Sequence, residues 1–120
     1  MTEVNRKKEA LEILQNQFGY SAFRENQWES IDDILHHKDT LILMPTGGGK
    51  SLCYQIPALM MNGTAVVISP LISLMKDQVD SLAANGIYAA FYNSSLNEEE
   101  QRKIESELMQ QQIKLLYVSP

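Results

Sequence analysis

Met44-Pro45-Thr46-Gly47-Gly48-Gly49-Lys50-Ser51 is the stretch on which the fold turns. Three consecutive glycines bare the main chain, so backbone N–H groups can approach phosphate oxygens without a Cβ clash. A lysine placed directly after them reaches the outer phosphates of a triphosphate, and the next hydroxyl can ligate Mg²⁺. The general phosphate-loop pattern begins with glycine; here that place holds Met44. The flanks fit the motif. Thr40-Leu41-Ile42-Leu43-Met44 is apolar enough to predict a buried strand, and Ser51 to Met61 reads as a helix. Strand, loop and helix in that order is the setting a phosphate loop requires.

Outward from the loop, the chain reads as alternating helices and strands. Leu11, Leu14 and Phe18 share a face of a helix spanning about Val4 to Phe18, which Gly19 ends. Trp28, Ile31 and Leu35 mark a second amphipathic helix over Arg24 to His36. Pro57 should kink or terminate the helix after the loop, and Asn62-Gly63 is a natural stop. Thr64 to Ser69 reads as a strand. Ser69-Pro70 has the form of an N-cap followed by proline at the first helical position. Leu71, Leu74, Met75, Gln78 and Leu82 then share a helix face, closed by Asn85-Gly86. Ile87 to Tyr92 and Lys114 to Val118 read as strands, separated by a helix from Asn97 to about Gln111 that opens with an Asn97/Glu100 capping box. This alternation predicts an α/β fold: a parallel sheet with helices on both faces. Strands that lack polar alternation fit a sheet covered on both sides.

Composition sets limits on function. The chain has 120 residues, 44% of them hydrophobic and 21% charged, as in an ordinary globular domain or part of one. A net charge of −5 argues against a non-specific nucleic-acid coat, although it leaves room for a local basic track. Cys53 has no disulfide partner and reads as a buried structural thiol. No apolar run approaches the ~20 residues that span a bilayer, and Met1 to Glu9 lacks a signal-peptide core. His36 and His37 are adjacent and point to different faces, which argues against a metal pair. Glu98-Glu99-Glu100 opens a helix, where carboxylates favour the macrodipole.

Two further stretches narrow the reading. Phe18-Gly19-Tyr20 with Phe23-Arg24-Glu25-Asn26-Gln27 precedes the loop, and Val66-Val67-Ile68-Ser69-Pro70-Leu71-Ile72-Ser73-Leu74-Met75-Lys76-Asp77-Gln78-Val79 follows it. With the loop, Asn93-Ser94-Ser95 and Leu115 to Pro120, the chain from about Phe18 onward resembles the RecQ family of ATP-dependent DNA helicases. The methionine that opens the loop is a feature of that resemblance.

The resemblance implies a RecA-like phosphate-loop NTPase domain, here incomplete. Residues 1–36 would carry the N-terminal helices with the adenine motif, and 37–120 the first part of the ATP-binding domain. ATP and Mg²⁺ are the implied nucleotide and metal. Gln27 would read the adenine edge, an amide being able to donate and accept at once, with Tyr20 and Arg24 stacking on the base. Thr46, Gly47, Gly48 and Gly49 would donate N–H groups, Lys50 would meet the β- and γ-phosphates as the catalytic lysine, and Ser51 would hold Mg²⁺. The segment from Ser69 resembles a motif that lies beside single-stranded DNA, which points to Ser69, Ser73 and Lys76, with Ser94 and Ser95 nearby in role.

DNA, single-stranded or at duplex junctions, is the implied partner, in a cytoplasmic, nucleoid-associated setting without a membrane. Hydrolysis in this family also uses an Asp-Glu-x-His box and a later arginine, and Ser119-Pro120 falls short of both. The chain is therefore expected to be the opening segment of a motor, inactive alone and with open sheet edges. Two other readings stay open from the residues themselves: a nucleotide-binding module without hydrolysis, and a small-molecule kinase sharing only the phosphate loop.

Overall fold

The computed structural model describes residues 3–45 and 49–120. They form two compact units, Met1–Asn62 and Gly63–Pro120. The first holds α1 (Glu3–Gln17), α2 (Gln27–Leu35) and α3 (Lys50–Met60). The second holds β1 (Ala65–Ile68), α4 (Ile72–Ala84), β2 (Ala89–Tyr92), α5 (Glu98–Met109) and β3 (Leu115–Val118).

In the first unit the apolar stripes of three helices meet. Ala10, Leu14, Ile31, Leu52 and Ile56 are buried, with Leu11, Phe18, Trp28 and Leu35 packed around them. The helix faces read from the sequence are thus the ones that form the core. Pro57 lies inside α3, which continues to Met60 and then stops. A proline removes one N–H from the ladder and crowds the preceding turn, so one further turn is what remains.

The apolar segment 40–44 does not form the expected strand. It has no regular structure, and Leu41 and Leu43 are 85% and 86% exposed. A strand exists only through a neighbour that takes its N–H and C=O groups. Among the described residues none pairs with this segment, so its composition alone cannot hold it extended.

The second unit is a three-stranded parallel sheet of order β1-β3-β2. Leu115, Leu116 and Tyr117 are buried because β3 lies between its neighbours with both faces covered. The crossover from β1 to β2 and that from β2 to β3 run in opposite senses. Right-handed connections therefore put α4 and α5 on opposite faces. Side-chain alternation agrees: Ala90, Leu116 and Tyr92 pack with Ile104 and Leu108 of α5. β1 departs from the expectation of two covered faces. Its burial alternates, leaving Val66 60% and Ile68 69% exposed.

Helix starts also differ in detail. α2 begins at Gln27, because Asn26 takes a left-handed φ of 69° and breaks the helical path from Arg24. α4 begins at Ile72 with no side-chain cap. Ser69 Oγ instead accepts from Leu71 N at 3.2 Å, so the hydroxyl closes a local turn ahead of the helix. Of the face expected to be buried, Met75 and Leu82 are, whereas Leu71 and Leu74 remain about half exposed. The capping box on α5 is formed at both of its bonds, Glu100 N to Asn97 Oδ1 at 2.8 Å and Asn97 N to Glu100 Oε1 at 3.1 Å.

Two tyrosines, one just before β2 and one at its end, bond to α5. Tyr88 OH donates to Glu107 Oε2, and Tyr92 OH donates to Glu105 Oε2 at 2.7 Å. Desolvation first, then the Glu107 carboxylate, pushes the Tyr88 phenol up to about 12.

Three outcomes are expected. Leu115→Ala should lower the unfolding free energy of the sheet unit by about 2–5 kcal/mol through transfer and cavity terms, read from denaturant midpoints. Asn97→Ala should cost about 1 kcal/mol, with faster amide exchange confined to the first turn of α5. A phenol whose folded pKa is raised stabilises the fold fully below its unfolded value near 10. That contribution is lost as pH rises towards about 12. Absorbance titration should accordingly find the Tyr88 phenolate among the last to appear, and Glu107→Gln should move its ionisation to lower pH.

Candidate nucleotide site

Gly49 sits immediately before α3 with φ 83° and ψ 29°, a left-handed conformation that side chains with a Cβ resist. A Cβ built on it would collide with Gln27 Nε2. Among the described residues no side-chain cap bond closes the start of α3. The N-cap residue, a glycine, has no side chain to offer the first N–H groups of this eleven-residue helix, which lie at its positive dipole end. Lys50 is the first helical residue and is exposed, and Ser51 beside it is partly buried. The chemistry of this end suits an anion. Thr46, Gly47 and Gly48 lie outside the described residues.

The turn between α1 and α2 supplies the second wall of the site. Tyr20 N donates to Leu14 O at 3.2 Å, closing the end of α1, and the Tyr20 ring is 50% exposed. Gln27 N donates to Arg24 O at 3.1 Å, and Arg24 N donates to Gln27 Oε1 at 2.7 Å. The other end of the same amide, Gln27 Nε2, donates to Gly49 O at 3.2 Å. Gln27 is only 1% exposed, whereas Arg24 is exposed. One buried side chain therefore fastens the turn carrying Tyr20 and Arg24 to Gly49, the residue before α3. Cys53 is fully buried one turn into α3, its thiol 3.8 Å from the same Gly49 carbonyl. Burial pushes this thiol's pKa up, against a lowering hydrogen bond from Ser30, which leaves it inert.

The remaining candidates lie in the sheet unit. Because its strands are parallel, Ile68, Tyr92 and Val118 are register partners, and the segments after them share the carboxyl edge of the sheet. Ser69 follows β1, its N–H donating to Val118 O at 2.9 Å. Ser94 and Ser95 follow β2. Ser95 donates from both N and Oγ to Asn93 Oδ1, at 2.9 and 2.5 Å. Asn93 is itself buried, its Nδ2 donating to Met75 Sδ at 3.5 Å. Ser73 and Lys76 are exposed on α4. Lys76 Nζ lies 2.8 Å from Asp80 Oδ2, and this bond, more than the added charge, pushes the lysine's pKa up.

Sequence reading singled out the residues at both places but missed what positions them. The Gln27–Gly49 bond joins residues far apart in the chain, and no local pattern announces it. Asn93 had a legible signal, an asparagine two residues before a hydroxyl, the pattern of an Asx turn. Among the described residues no group of acidic, histidine or cysteine side chains is spaced to hold a metal, and no helix is long and apolar enough to cross a membrane.

Comparison with known proteins agrees with the fold and the motifs. The chain is 54% identical over 120 residues to the ATP-dependent DNA helicase RecQ of Haemophilus influenzae, covering 100% of this chain and 19% of that protein. It is 50% identical over 112 residues to the ATP-dependent DNA helicase RecQ of Bacillus subtilis, covering 92% of this chain and 19% of the relative. The chain thus spans about a fifth of the length of these curated relatives, 19% in each case. Its fold is similar to the crystal structure of the DUF1998 helicase MrfA bound to DNA, with a TM-score of 0.75 and 18% identity, covering all of this chain and 18% of that one. The family model for DEAD/DEAH box helicases matches residues 24–120. The resemblance to RecQ proteins read from the motifs therefore holds along the whole chain, which belongs to the DEAD/DEAH box helicase family.

Proposed function

We propose that this chain forms the nucleotide-binding opening of an ATP-dependent DNA helicase of RecQ type, in which ATP use drives the separation of DNA strands. The observation that carries the reading is the Gln27 bridge. It supports the reading because one buried amide bonds both to the turn that carries Tyr20 and Arg24 and to Gly49 at the start of α3.

In this reading the uncapped N–H groups at the start of α3 take phosphate oxygens, and Lys50 adds a mobile positive charge beside them. Ser51 holds Mg²⁺ through its hydroxyl; the ion, when bound, neutralises charge on the phosphates. Tyr20 and Arg24 stack on the base. Gln27 reads its edge, and since the side chain is buried at 1% exposure, reading requires the turn over it to open. Opening exchanges the Gln27–Gly49 bond for a bond to the base, so base recognition and loop geometry change together. Residues 1–36 act in this reading as the base-recognition segment and 37–120 as the start of the motor domain.

Single-stranded DNA, in this proposal, follows the carboxyl edge of the sheet. Ser69, Ser94 and Ser95 offer hydroxyls and N–H groups to phosphates there, while Ser73 and Lys76 reach them from α4. Contacts of this kind fix register without reading sequence, which suits a motor that must pass any base.

Two measurements on the full-length protein test the reading. Lys50→Ala should reduce DNA-stimulated ATP hydrolysis at least about a hundredfold through lost charge stabilisation. Stability should change by less than about 0.5 kcal/mol, because the side chain is exposed; normal turnover would refute the assignment. Gln27→Ala should weaken ATP binding and narrow the preference for ATP over GTP by about tenfold, the worth of a charge-free bidentate contact. An unchanged preference would remove Gln27 from base reading.

A further inference from the structure

Strand β2 is one edge of the three-stranded sheet. Lys114 N donates to Tyr88 O at 3.0 Å, which sets the phase of the ladder with β3. Tyr88, Ala90 and Tyr92 turn their peptide groups towards β3, and Ala89 and Phe91 turn theirs to the open side. Among the described residues no backbone group answers that outward set. Open edges are usually blunted by proline, lysine or a bulge, and Ala89-Ala90-Phe91-Tyr92 has none of these.

A cavity of about 250 Å³ runs beside this edge and draws its walls from both helix layers. Val79 of α4 and Phe91 line it, together with Tyr88 and, from α5, Glu100, Lys103 and Glu107. Glu107 is the informative wall. Its Oε2 accepts from Tyr88 OH, but its Oε1 is buried with no hydrogen-bond partner among the described residues. A carboxylate oxygen removed from water without a donor is unfavourable. Lys103 stands at the rim, exposed, and does not satisfy it. α5 as a whole carries five carboxylates against two cationic side chains.

We propose that the open edge of β2 and this cavity together form a docking site for an extended, basic peptide of a partner protein. The peptide adds as a fourth strand against Ala89 and Phe91 and lowers an arginine or lysine side chain to Glu107 Oε1. Main-chain bonds supply affinity, and the carboxylate selects the side chain. Arginine is favoured over lysine, since its planar cation stacks on Tyr88 or Phe91 while donating to the carboxylate. None of the residues assigned to ATP lines the cavity.

The test uses the full-length protein and three synthetic probes. These are a blocked heptapeptide Ac-Thr-Val-Arg-Val-Arg-Val-Thr-NH₂, its version N-methylated at alternate amides, and its glutamate-for-arginine counterpart. Calorimetry gives affinity, and hydrogen exchange by mass spectrometry locates the contact. The arginine peptide should bind and slow exchange in segments 88–93 and 100–108. Glu107→Gln, which keeps the shape and the bond from Tyr88, should weaken it at least about tenfold, as for loss of a charged hydrogen bond. Glu100→Gln at the rim should weaken it less, and the other two peptides should fail to bind. Several results would overturn the proposal: no binding at millimolar peptide, equal binding by the N-methylated or glutamate peptide, affinity indifferent to Glu107→Gln in a variant of unchanged melting temperature, or protection elsewhere. Protection of the same segments by single-stranded oligonucleotide in place of the peptide would overturn it as well.

Discussion

The amide of Gln27 binds two backbone groups that have no sequence relation to each other. Its oxygen takes the N–H of Arg24 and its nitrogen serves the carbonyl of Gly49. Gln27 is buried, and a buried amide needs a partner at each end. While both bonds hold, the turn that carries Tyr20 and Arg24 moves with Gly49. Gly49 must be glycine for two reasons that act together: its left-handed φ of 83°, and the space that Gln27 already fills. This constraint links the turn between α1 and α2 to the start of α3 across the common apolar core of the three helices.

The sheet unit solves a different problem. Its central strand, β3, follows the other two in sequence, and among the described residues β1 and β2 each pair with β3 and not with each other. Folding of this unit thus waits on contacts far apart along the chain, which slows folding. The reward is geometric. Parallel pairing brings the ends of all three strands to one edge, and short polar segments following each strand are gathered there without any long loop. Asn93 then fixes the segment after β2 by bonding within it and to Met75 beneath.

Much of this was legible in the amino-acid sequence because it is local. The capping box of α5, the stops at Gly19 and Gly86, and the stripes of α1 and α2 each depend on residues within a few positions of one another. What escaped is what depends on distant partners. Thr40 to Met44 has a strand's composition but no ladder neighbour among the described residues, and Leu41 and Leu43 stay exposed. Val66 and Ile68 read as buried and are not, since burial of a strand face is decided by what packs on it. Ser69 carried a cap's chemistry yet closed a turn ahead of α4, because Pro70 and Leu71 delay the helix start. At the candidate site the motif singled out Gln27 and Gly49 separately, whereas the bond that joins them required the fold.

The account stands most directly on whether nucleotide meets the chain at the junction that Gln27 fastens. The decisive measurement is an amide chemical-shift titration of the isotopically labelled chain with Mg–ATP, following the backbone signals of Gly49, Lys50 and Ser51 and the side-chain amide of Gln27. The account expects all four to shift together along one binding curve. Saturable shifts that leave the Gln27 side chain and the start of α3 unmoved would contradict it.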